Sequence, residues 1–122
     1  MTRRGAFLLA FAVLLAPFAS GCHSAQVDAF VENRTGAPID LLEVDYPSAS
    51  FGVDHLAAGA TYHYRFQVRL SGPIKVQYND SATHQLRQFT GPTVSEGQEG
   101  RFEIVLLPDG KAEFHPALAP PK

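Results

Sequence analysis

The chain has 122 residues, 45% apolar and 18% charged, with ten Lys and Arg against twelve Asp and Glu. That balance excludes wholesale disorder and gives no cation excess for nucleic-acid phosphate. Met1 is the only Met and Cys22 the only Cys, so no internal disulfide can form, and thiolate zinc, iron–sulfur and blue-copper sites lack their sulfur ligands.

The chain opens on two positive charges, Arg3 and Arg4. An apolar run from Ala6 to Phe18 (AFLLAFAVLLAPF) follows, then Ala19-Ser20-Gly21-Cys22. Charge, apolar stretch and small-residue site, in that order, predict a cleaved secretory signal over 1–21. The run is shorter than the roughly 20 residues a spanning helix needs, and Pro17 interrupts it. A core helix would be amphipathic, and this run is apolar all round. Ala19-Ser20-Gly21-Cys22 resembles the lipobox of bacterial lipoproteins, with Ala19 where Leu is commoner. The resemblance covers only the first 22 residues. It implies cleavage between Gly21 and Cys22, acylation of the Cys22 sulfur and new amino group, and a lipid-anchored protein of the cell envelope. His23 stands where an Asp would favour inner-membrane retention, which implies the outer membrane, facing the periplasm. Losing Arg3 and Arg4 with the signal leaves eight basic and twelve acidic residues, a net charge of −4.

Residues 22–25 form a short tether, reaching at most about 14 Å. Beyond it, 26–115 shows no helical period. Short β-rich runs alternate with turn signals instead: Gln26–Asn33, Ile39–Tyr46, Ser50–Leu56, Thr61–Leu70, Pro73–Asn79, His84–Thr90, Arg101–Leu107 and Lys111–His115. Gly, Pro, Asn and Asp punctuate them, each with a turn mechanism of its own. The expected fold is all-β: a seven- to eight-stranded antiparallel β-sandwich, immunoglobulin-like or similar. Residues 116–122 (PALAPPK) read as an extended Pro-rich tail.

Two registers test the pattern. If Ala57–Ala60 is a hairpin loop, His55–Tyr62, Val53–Tyr64 and Phe51–Phe66 share an apolar face, leaving Asp54–His63 and Gly52–Arg65 on the other. Around Pro108-Asp109-Gly110, Leu106–Ala112 and Ile104–Phe114 share a face with Phe102, while Glu103–His115 and Val105–Glu113 take the other.

Asp54–His63 is the sharpest candidate for chemistry, because a carboxylate beside an imidazole suits a general base. A small envelope hydrolase could use that pair with Ser50 or Thr61, but no Gly-x-Ser-x-Gly elbow occurs, and a surface cross-strand pair is the simpler reading. His23, His55, His63, His84 and His115 show no paired ligand spacing, so a histidine metal site would need convergence of separate strands. His55 is expected packed on the core face. Asp40, Glu43 and Asp45, interspersed with Leu41, Leu42 and Val44, read as a solvated strand face and not a calcium loop. Tyr46, Tyr62, Tyr64 and Tyr78 read first as packing and second as a carbohydrate or peptide platform. Asn33-Arg34-Thr35 and Asn79-Asp80-Ser81 match the glycosylation sequon, which is usually silent in a bacterial host. Val105 and Leu107 point away from the expected core, as do Val27 and Val31 if Phe30 points in. An apolar outer face or an open edge strand would offer a partner surface.

The sequence therefore suggests a membrane-anchored, non-enzymatic envelope interaction module. No cofactor, catalytic residue or metal ligand is assigned. Cys22 carries the lipid. The partners are the membrane and another envelope protein met through a sheet face or edge, not nucleic acid.

Overall fold

A computed structural model describes residues 24–121. The cleavage and lipidation positions Gly21 and Cys22, with His23 and the signal expected over 1–21, lie outside the described residues. Eight strands run β1 (Val27–Asn33), β2 (Ile39–Tyr46), β3 (Ala49–Leu56), β4 (Thr61–Phe66), β5 (Gly72–Asp80), β6 (Gln85–Val94), β7 (Glu99–Leu107) and β8 (Lys111–Ala119). They form two four-stranded sheets, β4-β1-β7-β8 and β3-β2-β5-β6. The fold is all-β, and the strand positions follow the alternation read from the sequence closely.

Strict alternation builds the core. In β1, Val27, Ala29, Val31 and Asn33 are buried while Asp28, Phe30 and Glu32 face out. Phe102, Ile104 and Leu106 of β7 join them, and Ile39, Leu42, Val44, Ile74, Val76 and Tyr78 cover them from the other sheet. β1 and β7 pair in parallel, the one departure from an antiparallel sandwich among the described strands. A parallel pair needs a long connection, and residues 34–98 supply it by building the whole second sheet on the way.

The structure corrects five expectations. First, β3 and β4 are not a hairpin: β3 pairs with β2 and β4 with β1, in different sheets. Second, Phe30 points out and Val27 and Val31 point in. Third, His55 is exposed and bonded to Asp40, not packed in the core. Fourth, β4 stops at Phe66, four residues before the expected end. Fifth, Pro116–Ala119 is the end of β8, not a free tail, with Phe102 opposite Pro116 and Glu99 opposite Ala119. β8 is an edge strand, where a proline is tolerated with its nitrogen turned away from the ladder.

The crossing from β3 to β4 has a visible cause. Asn33, fully buried, donates from Nδ2 to the carbonyls of Ala37 (2.8 Å), Leu56 (3.1 Å) and Ala57 (3.2 Å), and accepts at Oδ1 from Thr35 N (3.1 Å) and Oγ1 (2.7 Å). Its backbone donates to Ala60 O (2.9 Å) and accepts from Gly59 N (2.7 Å). The turn is thereby tied to the end of β1, and the chain continues along β1. Phe51, Tyr62, Tyr64 and Phe66 still face one another, but across the gap between sheets, with Phe51 stacked on Tyr64 at 4.5 Å.

Candidate functional site

The outward side of β4-β1-β7 gathers most of the chemistry. Register sets Arg65, Asp28 and Arg101 in one row and His63, Phe30 and Glu103 in the next. Asp28 Oδ1 accepts from His63 Nε2 (2.9 Å) and from Arg65 Nε (3.0 Å), and Arg65 Nη2 reaches Oδ2 at 3.4 Å. Arg65 first, then His63, holds the Asp28 carboxyl below its ordinary range, and Asp28 in turn raises the Arg65 guanidinium. The Phe30 ring stacks on His63 at 4.6 Å and carries the Arg101 guanidinium 3.9 Å from its centroid. Arg101 Nε donates to Glu103 (2.6 Å). Asp28, Phe30, Arg65 and Arg101, with Ser24 and Gln26 at the chain entry, line an open depression of about 620 Å³.

The polar groups of this cluster are largely engaged with one another. Asp28 is already occupied by the Arg65 guanidinium and the His63 ring. His63 turns its Nε2 to that carboxylate and not to a hydroxyl. Guanidinium N–H groups remain for a ligand to meet, while the Phe30 ring is already flanked by His63 and Arg101.

The other expected residues scatter. Asp54 sits on β3 and His63 on β4, in different sheets, so their expected pairing is not made: His63 takes Asp28 in place of Asp54 because β4 lies against β1. Ser50 faces Asp45 of β2, and Thr61 faces Glu32 of β1. His55 Nδ1 meets Asp40 (2.9 Å) and His115 Nε2 meets Glu113 (3.1 Å). Among the described residues, no three or more of His, Cys, Asp and Glu converge on a metal-sized position. Asp40, Glu43 and Asp45 line the outer side of β2, half-buried, as their spacing suggests. Asn33 of the first sequon is wholly buried and spent on the fold.

Tyr46 stacks on Phe66 at 4.2 Å, and burial raises both its hydroxyl and that of Tyr78. Val105 is buried among its neighbours despite facing outward, and Leu107 is half-buried. Asp28 and Phe30 escaped sequence reading through the choice of face for β1, and Arg101 because nothing local says that β7 lies against β1. The β-branched set Val27 and Val31, with Ala29 between, was the signal for the opposite choice. No family model, curated protein or solved structure matches the chain.

Proposed function

We propose that the protein is exported, held in the bacterial envelope through acylated Cys22 at the outer membrane, and acts there as a non-enzymatic recognition module. The start of β1 supports this reading most. Val27 already belongs to an inner strand of its sheet. Only residues 23–26 separate it from Cys22, a reach on the order of 15 Å. A domain held so close to its anchor meets partners at the membrane surface. Two acyl chains or more make such an anchor stable, while one is marginal.

Palmitate labelling with intact mass, on the wild type and on Cys22→Ala, tests the anchor. The label is expected in the wild type alone, on a chain beginning at Cys22. An unlipidated chain beginning at Ala25 or Gln26 overturns it. In-cell photo-crosslinking from positions 107 and 64 tests recognition. One dominant envelope-protein adduct is expected, and no adduct from either position in correctly anchored protein overturns the reading.

A further inference from the structure

Among the described residues, four strands end the two sheets: β4 and β8 in one, β3 and β6 in the other. An edge strand presents unpaired N–H and C=O groups, and proteins guard such edges with prolines, charges, bulges or inward-pointing ions. β8 carries Pro116 with Lys111 and Glu113. β6 carries Gly91 and Pro92, and its Arg87 lies opposite the buried Tyr78 with Nε buried and without a hydrogen-bond partner, an inward-pointing cation. β3 carries Gly52 and Asp54. β4 reads Thr-Tyr-His-Tyr-Arg-Phe, with no proline, glycine, lysine or acid. Its one fixed charge, Arg65, is paired with Asp28 of the neighbouring strand, and its ladder has no register break, so it is the least guarded of the four edges.

The direction of its free groups follows from register. Asn33 N donates to Ala60 O, which sets Asn33 and Ala60 as a hydrogen-bonded pair of the β1–β4 ladder. Such pairs alternate, so Tyr62, Tyr64 and Phe66 bond to β1. Thr61, His63 and Arg65 turn their backbone groups away from the sheet. The parallel ladder agrees: Gly100 N donates to Gln26 O and Arg34 N to Leu106 O, so even-numbered residues of the β1 segment face β7 and odd-numbered ones face β4.

We infer that the β4 edge takes up an extended acidic peptide segment as a fifth strand of its sheet. The inference deepens the recognition reading above and rests on it. Side chains of an added strand would alternate in the same way. Positions opposite His63 and Arg65 fall on the outer face, where the Arg65 guanidinium has donors beyond the two that Asp28 occupies. Positions opposite Tyr62 and Tyr64 meet aromatic rings at the mouth of the intersheet gap, where Tyr64 is 37% exposed. At the C-terminal end of β4, Arg65, Gln67 and Arg69 line a depression of about 480 Å³ with Tyr46 and Tyr64. The complementary segment therefore alternates carboxylates with apolar residues. A second copy of β4 fits worse, because it would bring His63 and Arg65 against their own kind.

The test uses the full chain purified in detergent and eight-residue peptides alternating glutamate and valine, or lysine and valine. The glutamate peptide is expected to slow amide hydrogen exchange at His63 and Arg65 at least tenfold and to bind at least tenfold more tightly than the lysine peptide at low salt. N-methylating one alternate set of its amides should abolish binding, and methylating the other set should leave it. His63→Pro removes an outward donor and no ladder bond, so it should keep the fold and lose the peptide. Should that variant fail to fold, the methylated peptides carry the test unaided. Three results overturn the inference: no slowing with any peptide, equal binding of both methylated forms, or protection without peptide that grows with protein concentration, the mark of β4 pairing with itself. An unprotected β4 beside strong crosslinks from position 107 removes this inference and leaves recognition standing. Absence of adducts from both positions removes the reading beneath it.

Discussion

The turns Ala57–Ala60 and Pro108–Gly110 each join two amphipathic strands, yet they do opposite things. The second keeps its strands together: Leu107 faces Lys111, and the ladder runs unbroken to Glu99 and Ala119. Asp109 and Gly110 both adopt left-handed backbone (φ 63° and 67°), closing the turn with local geometry alone. The first hands the chain to the other sheet, because its carbonyls and amides answer to Asn33, more than twenty residues earlier. A turn's length and residues settle its local bend. Which sheet receives the next strand is settled by whatever satisfies the backbone groups the turn leaves over.

Removing Asn33 breaks the comparison most directly. Asn33→Ala leaves the Leu56 and Ala57 carbonyls without their buried donor and should cost about 2–4 kcal/mol, read from chemical denaturation at unchanged m-value. Asn79, the half-buried Asn of the other sequon, makes a control: Asn79→Ala should cost no more than about 0.5 kcal/mol. Equal losses at both positions would mean that Asn33 does not hold the crossing.

The same contrast explains what could be read in advance. Strand positions were legible because alternation and Gly/Pro punctuation are local signals. The β7–β8 register was legible down to single pairs because its turn is self-contained. The β3–β4 crossing was not: Phe51, Tyr62, Tyr64 and Phe66 show the same alternation whether they sit side by side in one sheet or face each other across two. From that one ambiguity came the Asp54–His63 pair, where the fold sets Asp28. Asp40-Leu41-Leu42-Glu43 did carry an unread signal. Two adjacent leucines break a period of two, and the ladder absorbs the break as a shift in register, with Leu41 at φ 51° and 58% exposed and Leu42 in the core. The outer-face cluster around Phe30 depended on knowing which strands flank β1, a long-range fact.

A smaller effect separates the turns at their glycines. Gly59 (φ 80°) has open space where a Cβ would stand, so Gly59→Ala should cost about 1 kcal/mol from backbone strain alone. Gly110 (φ 67°) carries the same strain, and a Cβ there would lie 2.8 Å from Arg87 Nη1. Gly110→Ala should therefore cost at least as much, and Arg87→Ala should bring it level with Gly59→Ala in a double-mutant cycle. A Gly110→Ala change milder than Gly59→Ala would show that the hairpin turn tolerates another conformation and is less fixed than the crossing.

The smallest expected effect tests what the crossing does for the outer face. The Glu113–His115 pair joins residues of one strand and needs no particular neighbour. Asp28 meets Arg65 and His63 only because β4 lies on β1. Its carboxyl is held below the ordinary value near 3.8, chiefly by Arg65. A lowered carboxyl stabilises the folded chain fully above its unfolded pKa, and that contribution fades as pH falls through the folded value. The stability difference between the wild type and Asp28→Asn should therefore be full above about pH 5, shrink steadily toward about pH 2, and weaken in high salt because the pair is solvent-exposed. A difference for Asp28→Asn that persists unchanged to pH 2, or grows on acidification, would mean that Asp28 is not engaged as an anion by β4. The row of charges on that face would then owe nothing to the way the chain changes sheets.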